Sequence, residues 1–289
     1  MKKFLPIFLS IFATAAFAAE TRDLILVAGQ SNAVGFNAKP SELPADPADQ
    51  EILFWWRCGD PPPDEHDSTS ARKWTALQPQ PLGQPAPRDQ SRQYGNFAQP
   101  DGGFGPEIGL GRTLLAREHR PLAIVKAAFS GTSLGGDWNH LDPGPRGSCY
   151  RALVEETKAA LAAAGAKGIT LRLRALVWVQ GESDANATAA PLYEKALGEM
   201  LTALRRDLDA PQLIALLAIN THFGGDKNTF VPKIVEAQQA LAAQDPRCAY
   251  VDTATATIAN GAHFDTAGTI DIGNRFAEAL LKLEAKQKP

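Results

Sequence analysis

Residues 24–37 read LILVAGQSNAVGFN: an apolar run, 24–28, that passes directly into Gly29, Gln30, Ser31 and Asn32. Five consecutive apolar residues ending on a turn signal describe a strand buried on both faces. A tight glycine-containing turn at the end of such a strand can hold a hydroxyl clear of the sheet, as in the nucleophile elbows of serine hydrolases. A serine there can equally start a helix, and Asn32 would cap one as well. The chemistry of Ser31 therefore depends on what the rest of the chain brings beside it.

Four further apolar runs, at 123–129, 175–179, 213–219 and 249–251, have the same character. Helical patterns lie between and after them, at 106–119, 150–166, 191–208, 231–243 and 266–287, the last carrying Ile270, Ile272, Phe276, Leu280 and Leu283. Strands alternating with helices predict an α/β fold: a five-stranded, mostly parallel sheet with helices on both faces.

Residues 38–105 interrupt the alternation. They hold more than half of the chain's 21 prolines and the cluster ILFWWRCGDPPPDEHDS. An irregular stretch of this length inside a compact domain is usually functional. Trp55, Trp56 and Trp74 lie within it, and aromatic faces suit sugar rings, so this insertion is expected to face the substrate.

The first residues read as an export signal, 1–18: Lys2 and Lys3, an apolar run, then Ala16-Phe17-Ala18 as a cleavage site. Residues 19–289 are then expected to form a single domain in the periplasm or outside the cell. No cysteine stands at the cleavage point to take a lipid, and no later apolar run is long enough to span a membrane, so no membrane anchor is expected. Loss of two lysines and no acid moves the formal charge from −3 to −5, without a basic block for nucleic acid. Of three cysteines, Cys58 and Cys149 fall in loop-like sequence and are the candidate disulfide, while Cys248 reads as a core thiol.

In an open parallel sheet, ligands bind beyond the carboxyl ends of the strands. Polar groups collect there: GQSN after the first run, SGTSLGGDW (130–138) after the second, QGESD (180–184) after the third, and NGAHFD (260–265) after the last. A serine hydroxyl needs a base. Among five histidines, His263 stands in a glycine-containing loop at the same sheet edge and is the best candidate. Acyl transfer also needs donors aimed at the oxyanion. Gly131 can offer a backbone N–H and Gln180 a carboxamide; the alternatives are a turn glycine and a buried amide tying two loops. No cluster of His, Cys and acids has metal-ligand spacing.

These blocks, with GPEIGLG, KAAFSGTSLGGDW, WVQGESDA and HFDTAGTIDIGNRFAEAL, resemble the SGNH-hydrolase branch that includes sialate O-acetylesterases and carbohydrate acetylesterases related to acetylxylan esterases. The resemblance spans nearly the whole mature chain. It implies a three-layer α/β/α sandwich of flavodoxin-like type, no metal or other cofactor, and hydrolysis of acetyl esters on sugars through an acyl-enzyme. It makes Ser31 the nucleophile and, through its own N–H, an oxyanion donor with Gly131 and Gln180; His263 becomes the base. Asn32, Trp55, Trp56 and Trp74 are the candidate substrate contacts. One departure stands out: where the family carries Asp three residues before the histidine, this chain has Asn260. Glu182 is the strongest substitute acid, and Asp184 the second. The expected activity is that of an exported serine esterase deacetylating a polysaccharide such as xylan. A sialate O-acetylesterase and a carbohydrate-binding pseudoenzyme are the alternatives.

Overall fold

The computed structural model describes residues 20–60, 63, 66–84 and 94–287. The expected export segment, 1–18, lies outside the described residues. Six parallel strands form the sheet: β1 (Glu20–Gly29), β2 (Leu53–Gly59), β5 (Leu122–Phe129), β6 (Ile169–Val179), β7 (Ile214–Ala218) and β8 (Cys248–Tyr250). Two short strands, β3 (Ser68–Thr69) and β4 (Thr75–Ala76), pair antiparallel with β2. The order is β3-β2-β5-β1-β6-β7-β8. The first strand of the described residues thus lies inside the sheet, between β5 and β6.

Successive side chains of β1 point to opposite layers, and both are apolar. Leu24, Leu26 and Ala28 join a core with helices α3 (Ser148–Gly165), α4 (Tyr193–Asp207) and α5 (Val231–Gln244). Ile25 and Val27 join a second core with α2 (Glu107–Glu118) and α6 (Thr266–Gln287). The result is the three-layer α/β/α sandwich. Helices α2 and α6 meet backbone to backbone: a Cβ at Gly109 would lie 2.2 Å from the carbonyl oxygen of Ile270, and one at Gly273 would lie 2.3 Å from that of Pro106.

The expected five-stranded sheet is corrected to six parallel strands, because β2 lies inside the segment read as irregular. Its tryptophans are core residues. Trp55 is 1% exposed on the α3 side, its Nε1 donating to Glu156 Oε2 at 2.8 Å. Trp56, 5% exposed, faces the other core and donates to Ser68 Oγ at 3.1 Å. Half-buried Trp74 packs edge-on to Trp55 and donates to the Ala160 carbonyl at 3.1 Å. With their faces in the core and their N–H groups bonded internally, Trp55 and Trp56 are not substrate contacts, and Trp74 is turned into the fold beside them.

The expected Cys58–Cys149 disulfide is also corrected. All three cysteines are free and buried, with Cys58 in the core on one face of the sheet and Cys149 in the core on the other. Burial pushes the thiols of Cys58 and Cys248 up to about 12 and that of Cys149 higher still, so none is a thiolate at neutral pH. Without reductant, thiol titration of the native protein should therefore count none, and titration after denaturation should count three. A count of one after denaturation would mean that a disulfide is present.

Candidate active site

Strand β1 ends at Gly29 with φ of 134°, where a Cβ would lie 2.1 Å from the Val179 carbonyl oxygen of β6. Only glycine fits. The chain then turns into the single-turn helix α1 (Ser31–Val34), with the Gln30 carbonyl accepting from Ala33 N at 2.7 Å and Val34 N at 2.9 Å. Ser31 thus stands at the carboxyl edge of the sheet. At the other end of α1, Lys126 Nζ donates to the Val34 carbonyl at 2.8 Å, and also to Gln80 Oε1 at 2.7 Å and Glu107 Oε1 at 2.9 Å. Lys126 is fully buried, and its three N–H bonds find three acceptors.

His263 Nε2 lies 3.1 Å from Ser31 Oγ. The imidazole stacks on Phe36, with ring centroids 4.4 Å apart. Burial holds its pKa below the usual 6.5, which favours the neutral ring that can accept the serine proton.

No acid orients the ring from behind: His263 Nδ1 is buried without a hydrogen-bond partner among the described residues. Asn260 is turned to the backbone instead. Its Oδ1 accepts from Ala262 N at 2.9 Å and His263 N at 3.0 Å, and its Nδ2 donates to Asn37 Oδ1 at 3.1 Å.

The expectation that Glu182 serves as the acid of a triad is corrected in its geometry. Glu182 Oε1 accepts from Asn32 Nδ2 at 2.7 Å and Asn220 N at 3.2 Å. The side-chain amides of Asn32 and Asn220 both donate to the Ala262 carbonyl, each at 3.0 Å, and Asn32 Oδ1 accepts from Phe264 N at 3.1 Å. The carboxylate therefore holds two asparagines that grip the backbone on either side of His263. Glu182 and Asn32 are positioning residues, and Asn32, spent at both ends of its amide, is not a substrate contact.

Gln180 is corrected too. Fully buried, it donates through Nε2 to the Thr132 carbonyl at 3.1 Å and to Asp184 Oδ2 at 2.5 Å, and its Oε1 accepts from Tyr193 OH at 2.9 Å. It is the buried amide that ties two loops. Asp184 joins the same tie, accepting from Leu134 N at 2.8 Å, and does not approach His263. Gly131, by contrast, is exposed and open. It follows β5, whose Ala128 pairs with Gly29, so it emerges beside Ser31. The N–H groups of Ser31 and Gly131 meet no backbone acceptor among the described residues.

Sequence reasoning passed over Lys126 and Asn220. Lys126 carries a signal, a lone cation in the apolar run LAIVKAAF. Asn220 shares the pattern of polar residues just past a strand end, after β7.

A serine and a histidine thus meet at the carboxyl edge of a three-layer α/β/α sandwich of the SGNH type. A family model for carbohydrate esterases, described as sialic acid-specific acetylesterase, matches residues 21–282, and the chain belongs to that family. Solved structures share the fold. A protein of Arabidopsis thaliana is similar at a TM-score of 0.64 and 19% identity, over 90% of this chain and 98% of that one. A carbohydrate acetylesterase from Xanthomonas citri gives 0.61 and 17%, over 91% of this chain and 56% of that one. The structure of NanS gives 0.56 and 18%, over 93% and 98%. No curated protein matches by sequence.

Burial raises the Glu182 carboxyl from its ordinary 4.5 to about 6, against the hydrogen bonds from Asn32 and Asn220. An acid harder to ionise when folded stabilises the fold less as pH rises: its contribution falls by about 2 kcal/mol between the two values and is constant above. Glu182→Gln keeps an oxygen for both asparagines. Its melting temperature should lack this pH-dependent component, and its turnover at pH 8 should stay within about tenfold of wild type, whereas losing the acid of a triad costs roughly 10⁴. A loss of that larger size would make Glu182 part of the chemistry.

Proposed function

We propose that this protein is an exported serine acetylesterase acting on O-acetylated sugars, with Ser31 as nucleophile and His263 as base. The observation that carries the reading is the 3.1 Å contact between Ser31 Oγ and the half-buried, neutral-favoured imidazole. As Ser31 Oγ attacks the acetyl carbonyl, His263 Nε2 takes its proton and the carbonyl electron pair moves onto oxygen, facing the N–H groups of Ser31 and Gly131. Collapse expels the sugar hydroxyl, which takes the proton from His263. Water then attacks the acetyl-serine with the same histidine as base.

An O-acetylated sialic acid is favoured over xylan. The family description supports it, and the aromatic platform that pointed to a polymer belongs to the core at Trp55 and Trp56. The Ser31–His263 contact weighs against a binding-only pseudoenzyme, for which a paired nucleophile and base would have no use.

Ser31→Ala and His263→Ala should each lower hydrolysis of a chromogenic aryl acetate by at least about 10³ while leaving the melting temperature near wild type, as expected for members of one catalytic unit. Because the working form of His263 is neutral and burial lowers its pKa, the acid limb of kcat/KM should have its midpoint below the ordinary histidine value of 6.5. Acetate release should be faster from O-acetylated sialic acid than from acetylated xylan, and the mature N-terminus recovered after export should be Ala19. Wild-type rates in either alanine variant would overturn the mechanism.

A further inference from the structure

With Gln180 bonded into the core, the side-chain donor expected for the oxyanion is missing from its place, and the residue before the nucleophile is built to supply it. We propose that Gln30 is a catalytic residue whose Nε2 donates to the oxyanion formed during acyl transfer; this rests on the serine-esterase reading above. Gln30 Oε1 accepts from Gly181 N at 3.4 Å and Ser183 N at 3.3 Å, the backbone just beyond β6. Fixing the oxygen fixes the amide, because Nε2 diverges from it in the same plane. That nitrogen donates to none of the described residues. It is also absent from the sealed, unpartnered polar atoms, so the 4% of Gln30 that solvent reaches includes it.

The placement completes a cradle. Strand β1 lies between β5 and β6, so Gly131 offers its N–H from the β5 side, Ser31 from the centre, and Gln30 its amide from the β6 side. In the acylation step the Ser31 Oγ–carbon bond forms, the carbonyl π pair moves to oxygen, and Gln30 stabilises that charge without giving up a proton. A donor fixed before the reaction is worth more than one that must reorganise.

Two variants and three readouts test this. Gln30→Met removes the amide without adding charge. Gln30→Glu restores oxygens for Gly181 and Ser183 but carries no N–H. Both should lose 10²- to 10³-fold in kcat on an aryl acetate with KM changed less than about threefold, the size expected for one oxyanion donor. Both should bind an alkyl boronate, which places a negative oxygen in the cradle, correspondingly more weakly. Gln30→Glu should nevertheless melt at the wild-type temperature, its loop tie intact. Recovery of kcat in Gln30→Glu would reduce Gln30 to a loop tie, and a loss confined to Gln30→Glu would be a charge effect; either overturns the proposal, as does kcat within about threefold of wild type in Gln30→Met. Ser31→Ala run alongside keeps the two claims separate: if it retains turnover, the serine-esterase reading itself fails.

Discussion

A single buried ammonium organises the ground beneath the site. Lys126 projects from the interior strand β5 into an apolar layer, where an unpaired charge would be prohibitively costly. Its three partners come from three segments: Val34 closes the helix of the candidate nucleophile, Gln80 belongs to the 38–105 insertion, and Glu107 opens α2. Because every proton must be satisfied, those segments are held in one arrangement. Removing one partner of such a pair typically costs about 3–5 kcal/mol, so the network is as much a constraint as a source of stability. Through Gln80 the insertion supports the site from below.

On the opposite side of Ser31 the same logic is applied with asparagines. Glu182, Asn32 and Asn220 link the ends of β6, β1 and β7 to the loop that carries His263. In a triad the acid fixes the imidazole through the ring and offsets its positive charge. Here the carboxylate acts at one remove, through the backbone at Ala262 and Phe264. Orientation is retained without direct neutralisation of the imidazolium, and stacking on Phe36 limits rotation of the ring.

Much of this was legible in the sequence, for reasons that also explain what was not. Strands β1, β6 and β7 contain unbroken apolar runs and that of β5 is broken only by Lys126, the signature of strands covered on both faces, and the alternation with helices yields the layers directly. Strand β2 escaped because prolines surround it and its adjacent tryptophans read as a surface feature; in a strand, adjacent residues face opposite cores. The same alternation separates Cys58 from Cys149. Ser31 was visible because position at a strand end almost determines its direction, and His263 because its loop leads from the same sheet edge into the last helix. The roles of Gln180 and Glu182 were not, since a long side chain at a strand end has several partners in reach, and sequence spacing does not say that Gln180 turns to Asp184 or Glu182 to Asn32.

The interior position of β1 has a consequence for how the chain acquires its shape. Residues 20–29 are made well before their neighbours in the sheet, residues 122–128 on one side and 169–179 on the other. Until β5 is made this apolar segment has two unpaired edges, and until β6 is made it still has one, the condition in which chains pair wrongly with one another. Long-range pairing of this kind is slow, because the loop must be closed before any contact rewards it. Ser31 and His263, 232 positions apart, can meet only after the sheet is complete. A chain that ends before His263 therefore cannot form the Ser31–His263 pair.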